Sequence, residues 1–284
     1  MRFFTVAWFV IWLACLVFLL ASNSWLATFL YAYSLYVIIG IGHNYSHKNS
    51  QWGKVMDLTA YPLHIWQGSH CFSHHTYANL ERDIEIIAFE PLIYFLSSQP
   101  QNSKITILAQ IFVLLFSPVG AIVGLVDIIM GVEKFRASIM AIPAQFLLAF
   151  LFNGGDGLLK MTAAHVINGV LFMALSFPSH RSQGVWTEGD PNPTRDYAIH
   201  TIQTTADHSK GMSFLGSMLL FQGFTDHVGH HLFPTADHSK MPLIKPFILE
   251  ACREMNLEHM YPTHSFVKLF IGYFPFLMRK RPGN

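Results

Sequence analysis

The stretch FFTVAWFVIWLACLVFLLASNSWLATFLYAYSLYVIIGIGHNYSH, residues 3–47, sets the architecture. From Phe3 to Leu20 it carries no charge, which is close to the ~20 residues that cross a hydrocarbon core. A short uncharged ASNS turn at 21–24 follows, and a second apolar run extends from Trp25 to Gly42. The two runs read as a helical hairpin over residues 3–42. A cleaved signal peptide is the alternative for the first run, but its apolar core would span only ~7–15 residues. Immediately after the hairpin stand His43 and His47, four apart and therefore on one helical face.

Composition agrees with a membrane protein. The 284 residues are 52% hydrophobic and 12% charged, against roughly 25% charged in soluble domains. A net charge of +1 gives no field for nucleic acid. Cys15, Cys71 and Cys252 are odd in number and scattered, so no disulfide framework or CxxC site follows. The outlier is histidine, with 16 residues against 18 Lys and Arg.

Lysine and arginine set the orientation. Residues 43–104 contain Lys48, Lys54 and Arg82, and the tail after Phe177 holds ten more basic residues, so both are expected on the cytosolic side. That requires an even number of crossings between them. Three apolar runs are available, Ile105–Met130, Ile139–Phe152 and Leu158–Phe177. The short turn NGGDG at 153–157, without Lys or Arg, suits the lumenal side, so crossings are expected at 139–152 and 158–177, with 105–130 re-entrant or interfacial. The alternative is a crossing at 105–126, with 139–152 lying in the interface, because fourteen residues are short for a ~30 Å core. No internal repeat, low-complexity tract or soluble domain is expected. The chain divides as one membrane domain, 1–284: the hairpin 3–42, a polar region 43–104, a membrane region 105–177 and a cytosolic region 178–284.

The polar regions hold the chemistry. HNYSH contributes His43 and His47, HCFSHH contributes His70, His74 and His75, and HVGHH contributes His227, His230 and His231. Read as α-helix, His70 and His74 share a face and His75 is turned ~100° from His74, so adjacent rings reach two metals or two sides of one. His227, His230 and His231 fall near one face at i, i+3 and i+4. One pair alone fits haem or zinc equally well. Eight imidazoles exceed one four-coordinate zinc. Nitrogen donors without thiolate fit iron, zinc, copper or nickel. Iron is the metal that makes sense of a site beside a bilayer, where O₂ chemistry meets the unactivated C–H bonds of acyl chains.

These three clusters, with HVGHHLFPT continuing into ADHSKMPLIKPFILEACREMN, resemble the three histidine boxes of the membrane fatty acid desaturase family. RDYAIHTIQTTADHSKG is similar to the segment preceding the third box in the branch usually fused to cytochrome b5, a group that includes insect cytochrome b5-related proteins. The likeness runs over nearly the whole chain. It implies an all-α integral membrane protein with about four transmembrane helices and a cytosolic histidine-rich helical cap holding two iron ions. The ligands it implies are His43, His47, His70, His74, His75, His227, His230 and His231, with His180 of FPSHRS as the ninth. It further implies an O₂-dependent lipid acyl-chain desaturase of the endoplasmic reticulum membrane, with acyl-CoA, phospholipid or sphingolipid as substrate. No haem-binding HPGG stretch precedes the first helix, so electrons are expected from separate cytochrome b5 and its reductase.

Two positions depart from the branch. His227 stands where Gln is frequent, and Asp207 stands where Asn is frequent, with His208 an extra imidazole beside it. Asp207 and Asp226 are expected to accept a ligand N–H, as are Asp83 and Glu85. His64 and His165 read as packing residues, and His200, His208, His238, His259 and His264 as surface or structural. A lipid hydroxylase on the same scaffold, a non-catalytic relative, and a haem or zinc protein are the rival readings.

Overall fold

A computed structural model of the chain describes residues 2–48, 50–59, 61–106, 108 and 140–280. The protein is all-α: among the described residues, β pairing is limited to isolated bridges joining Asp207 to Thr263 and Ser209 to Ser265. It forms two compact units, Met1–Trp66 with Phe112–Met173 and Gln67–Ile111 with Ala174–Asn284, each taken here over its described residues.

The first unit is the membrane bundle. Helices α1 (Arg2–Ser22) and α2 (Trp25–Ser46) form the expected hairpin. Asn23 turns the chain at φ +44, and Ser24 caps α2 by accepting from Ala27 N–H at 3.2 Å. A 3-10 segment, Gln51–Leu58, and the short helix α3 (Leu63–Trp66) follow. Among the described residues, three stretches are long and apolar enough to cross a membrane, Phe3–Ser22, Trp25–Ser46 and Ala141–Ser179.

The third of these is folded back on itself. It contains α6 (Ala141–Ser176), which is interrupted at Gly154 by φ +59 and ψ −142, a combination open essentially to glycine alone. A Cβ on Gly157 would overlap the carbonyl oxygen of Ala149. In a straight helix those residues would stand about 12 Å apart. Phe146 stacks on His165 at 5.4 Å, and His165 Nε2 reaches Gln145 Oε1 at 3.1 Å. The arms are therefore antiparallel around NGGDG, as the alternation of charge and turn required. The first arm, from Ala141 to Asn153, rises only about 20 Å. The region expected to be re-entrant, 105–130, lies largely outside the described residues.

Small residues allow the bundle to close. Ala27, Ala32, Ala149 and Ala164 pack with Trp12, Leu16, Tyr31, Leu35 and Met161 in one buried cluster, the close approach that drives helix association in lipid. Gln145 links polar groups inside: Tyr31 donates to Gln145 Oε1 at 2.8 Å, and Gln145 Nε2 donates to Leu58 O at 2.9 Å. The two hairpin turns share one end of the bundle, where Asn153 donates to Leu20 O at 2.8 Å and Asn23 donates to Asp156 at 2.5 Å.

The second unit starts at a π-helical segment, Gln67–His74, which runs into α4 (His75–Tyr77) and then α5 (Ile84–Ile87). After α6 come a 3-10 turn, Phe177–Ser179, and helices α7 (Tyr197–Thr204), α8 (Phe214–Phe221) and α9 (His227–Leu232). The chain ends in α10 (Met241–Glu254) and α11 (Phe266–Leu277). Ile202 of α7, Val228 of α9, and Ile248 and Cys252 of α10 form an apolar core with Tyr261. That core holds α9, and with it the third histidine box, from behind. Asn79, in the left-handed region at φ +59, donates to His180 O at 3.0 Å and Trp186 O at 2.9 Å. This ties the second box to the chain leaving the membrane.

Candidate metal centre

In the first unit, His43 and His47 occupy the last turn of α2 and its C-cap, and their Nε2 atoms lie 3.3 Å apart. His43 is buried and meets the edge of Trp66 at 5.7 Å between ring centroids.

In the second unit seven buried imidazoles converge as two groups. His70, His75 and His230 form one: His75 Nε2 is 3.2 Å from His70 Nε2 and 3.1 Å from His230 Nε2. His74, His180 and His231 form the other, joined by His227. His180 Nε2 is 3.2 Å from His74 Nε2 and 2.9 Å from His227 Nε2. Adjacent His74 and His75 thus enter different groups, with ring planes at 89°.

The π-helix corrects the angular expectation for the second box. On an α-helix, residues five apart are ~140° apart, which would turn His75 away from His70. The wider i→i+5 turn advances only about 80° per residue, so five residues differ by about 40°. This is what brings His70 and His75 to one point. The third box is divided in turn. His227 and His231 stack at 5.0 Å within one group, while His230 serves the other.

The donor set fits metal cations. His70 Nδ1–H donates to Glu85 Oε1 at 2.8 Å, His74 Nδ1–H to Asp83 Oδ2 at 2.8 Å, and His180 Nδ1–H to Thr204 O at 2.9 Å. Each of these bonds fixes the tautomer and leaves Nε2 as a bare lone pair. Lone pairs facing one another at 3.2 Å, as on neutral His74 and His180, repel unless positive charge lies between them, either a metal ion or the proton that Asp83 and Glu85 favour on His74. Two nitrogens about 2.1 Å from one metal at right angles would be about 3.0 Å apart. His231 Nε2 is buried and has no hydrogen-bond partner among the described residues.

Electrostatics follows the same division. Burial holds His180 and His231 well below the usual histidine range, helped by neighbouring imidazoles, so both offer neutral rings. Burial also pushes His74 down, but Asp83 and Glu85 outweigh it and hold it above its ordinary value. Burial raises Asp83, yet His74 with its hydrogen bond brings that carboxyl below the usual range. Metal binding at His74 therefore competes with protonation of that ring.

The other acids have different partners. Asp207 accepts from Val228 N–H at 2.9 Å and Tyr261 OH at 2.8 Å, and pairs with Lys245 at 2.8 Å. Asp226 pairs with Lys245 at 2.9 Å. The expectation that these two accept from ligand imidazoles gives way to a latch: Lys245 of α10 clamps both flanks of the third box. Sequence reading missed Lys245 because its partners lie 38 and 19 positions away in the chain, beyond any helical period.

It also missed a repeat. The hexapeptide TADHSK occurs at 205–210 and again at 235–240. Both of its histidines are buried, not superficial. His208 lies 6.5 Å from His227 and His238 lies 5.1 Å from His230, ring to ring, so one stands behind each group. Arg181, beside His180 in the chain, is 1% exposed and rests on Phe177 at 4.3 Å and Phe95 at 4.9 Å. His165 is hydrogen-bonded packing, as expected.

Comparison with known proteins agrees. The fatty acid desaturase family model matches residues 22–263. Cytochrome b5-related protein of Drosophila melanogaster is 28% identical over 271 residues, covering 86% of this chain and 60% of that protein. The sn-1 linoleoyl-lipid 6-desaturase of Synechocystis is 26% identical over 271 residues, covering 84% of this chain and 74% of that enzyme. Acyl-lipid (8-3)-desaturase B of Dictyostelium discoideum is 24% identical, covering 80% of this chain and 57% of that enzyme. The chain thus spans only part of the length of these relatives. With a match over most of its length, an all-α membrane fold and convergent histidines, the chain belongs to the fatty acid desaturase family.

Proposed function

We propose that the protein is an O₂-dependent lipid acyl-chain desaturase with a di-iron centre. The observation that carries the reading is the pair of convergent imidazole groups, whose bare Nε2 atoms face one another. Bound iron would supply the redox chemistry with O₂ that unactivated C–H bonds require. The overall reaction takes a hydrogen from each of two adjacent acyl carbons. One O₂, two electrons and two protons enter, and two waters and a double bond result. The ligands are His70, His74, His75, His180, His227, His230 and His231, with His43 and His47 included on the strength of the three-box pattern.

The protein's own part is positional. Asp83, Glu85 and the Thr204 carbonyl hold three rings with Nε2 exposed to metal. Burial keeps water from the donor atoms and favours the neutral rings of His180 and His231. Cytochrome b5 and its reductase are the proposed electron source, and acyl-CoA, phospholipid or sphingolipid the substrate class. The proposed location is the endoplasmic reticulum membrane with the centre on the cytosolic side. The test is expression with cytochrome b5 and its reductase in a desaturase-deficient host, followed by lipid mass spectrometry. A product two hydrogens lighter is expected, lost together with the metal in His74→Ala and His230→Ala. A product one oxygen heavier would establish hydroxylation instead, and full activity in either variant would overturn the site.

A further inference from the structure

Two cap helices present more apolar surface than the second unit uses. Helix α11 buries Leu269, Tyr273 and Phe276 on one side. Its outward stripe is equally apolar: Val267, Ile271 and Phe274 follow i, i+4 and i+7 spacing and are 63%, 62% and 40% exposed. Helix α8 is uncharged throughout, and its Phe214, Leu215 and Leu219 are 70%, 65% and 45% exposed. The two helices adjoin, with Phe221 of α8 against Phe266 of α11 at 5.2 Å, and His208 lying against both rings at 4.5 and 6.2 Å.

The chain on which α11 rests and the charge around the two helices indicate what covers this face. Helix α11 packs against the 3-10 turn Phe177–Ser179, which directly continues the apolar helix ending at Ser176. A Cβ on Gly272 would lie 3.6 Å from Gln183 N, so α11 sits directly on the chain as it leaves the membrane. Charge agrees: residues 211–225 and 259–280 contain no acid, while Lys210, Lys268 and Lys280 are exposed around the face. An apolar stripe with a purely basic rim complements acyl chains below anionic headgroups.

We propose that α8 and α11 form a monotopic platform that embeds its outward face in a phospholipid surface, with its lysines on anionic headgroups. The platform fixes the level of the cap against the bilayer independently of the metal chemistry. It begins at His208, immediately behind the third histidine box.

The test uses the full chain in nanodiscs of mixed neutral and anionic phospholipid, with p-benzoylphenylalanine replacing Phe214 or Phe274. Both substitutions add one ring at an exposed phenylalanine. Phe18, exposed on α1, serves as the membrane reference, and Glu254, exposed on α10, as the aqueous one. After irradiation, lipid adducts at positions 214 and 274 are expected within about threefold of position 18 and at least about tenfold above position 254. The proposal is overturned if adduct yields match position 254, or if the main product is a covalent dimer, which would assign the face to a second copy of the chain. The readout is independent of desaturation, so it can fail while the enzymatic reading stands.

Discussion

Replacing Asp83 by Asn tests whether the carboxylate behind His74 tunes a metal ligand. Asp83 is fully buried. Its Oδ2 accepts from His74 Nδ1–H at 2.8 Å and Asn79 N–H at 3.1 Å, and its Oδ1 accepts from Glu85 N–H at 3.1 Å. An amide has one acceptor oxygen, so Asp83→Asn cannot satisfy both edges. Keeping oxygen toward His74 sets the new NH₂ against Glu85 N–H; the opposite orientation sets it against His74 and Asn79. Either way one buried donor loses its acceptor, and the negative charge that makes Nε2 more basic is gone. Loss of such a partner lowers metal affinity by roughly 10–100-fold, or about 1.4–2.7 kcal/mol. The loss should fall on the His74–His180–His227–His231 group alone. Chelator competition with metal analysis on detergent-purified protein should show one weakened site and one unchanged site. Glu85→Gln should weaken chiefly the other site, through His70, and the double variant should weaken both. Equal weakening of both sites by Asp83→Asn alone would refute the division into two groups, and unchanged affinity would refute the positioning role. Thermal unfolding of the metal-free variants separates this from general destabilisation.

Other outcomes follow from single contacts. Lys245→Met strips the cation from buried Asp207 and Asp226 and should cost about 3 kcal/mol; denaturant titration reads this, and adding Asp207→Asn should restore part of it. Gly157→Ala drives a methyl into Ala149 O and should disrupt the α6 hairpin, costing about 2 kcal/mol or more; unaltered thermal stability would refute the reversal at Gly154. Burial lowers His208 from 6.5 to about 3, so its contribution to stability is complete above pH 6.5. As pH falls through that window, the unfolded chain binds the proton first, and roughly 3–5 kcal/mol is lost. His208→Asn should flatten this acid limb in the metal-free protein, as read by unfolding at stepped pH.

Several elements are legible in the chain because their signals are local. Apolar runs of membrane length, the ASNS and NGGDG turns and the placement of basic residues give the two hairpins. The three histidine clusters mark the imidazoles that converge, and Asp83 and Glu85 stand out as acids downstream of the second box, although their pairing with His74 and His70 comes from the structure. The sequence leaves His208 and His238 as surface or structural, because a polar side chain in a polar segment gives no sign of what packs over it; both are buried. The repeated TADHSK could have flagged them.

The sequence by itself determined the membrane hairpins, the kind of ligand and the family, since periodicity and composition act within a few residues. Only the tertiary structure decided which imidazole joins which group. The π-turn changes the angular step between His70 and His75. The bonds to Thr204 and Asp83 select the tautomers, and Lys245 fixes α9. His75 and His230 meet across 155 positions and His74 and His180 across 106. Helical periodicity orders neighbours a turn or two apart, so contacts at such separations are set by packing.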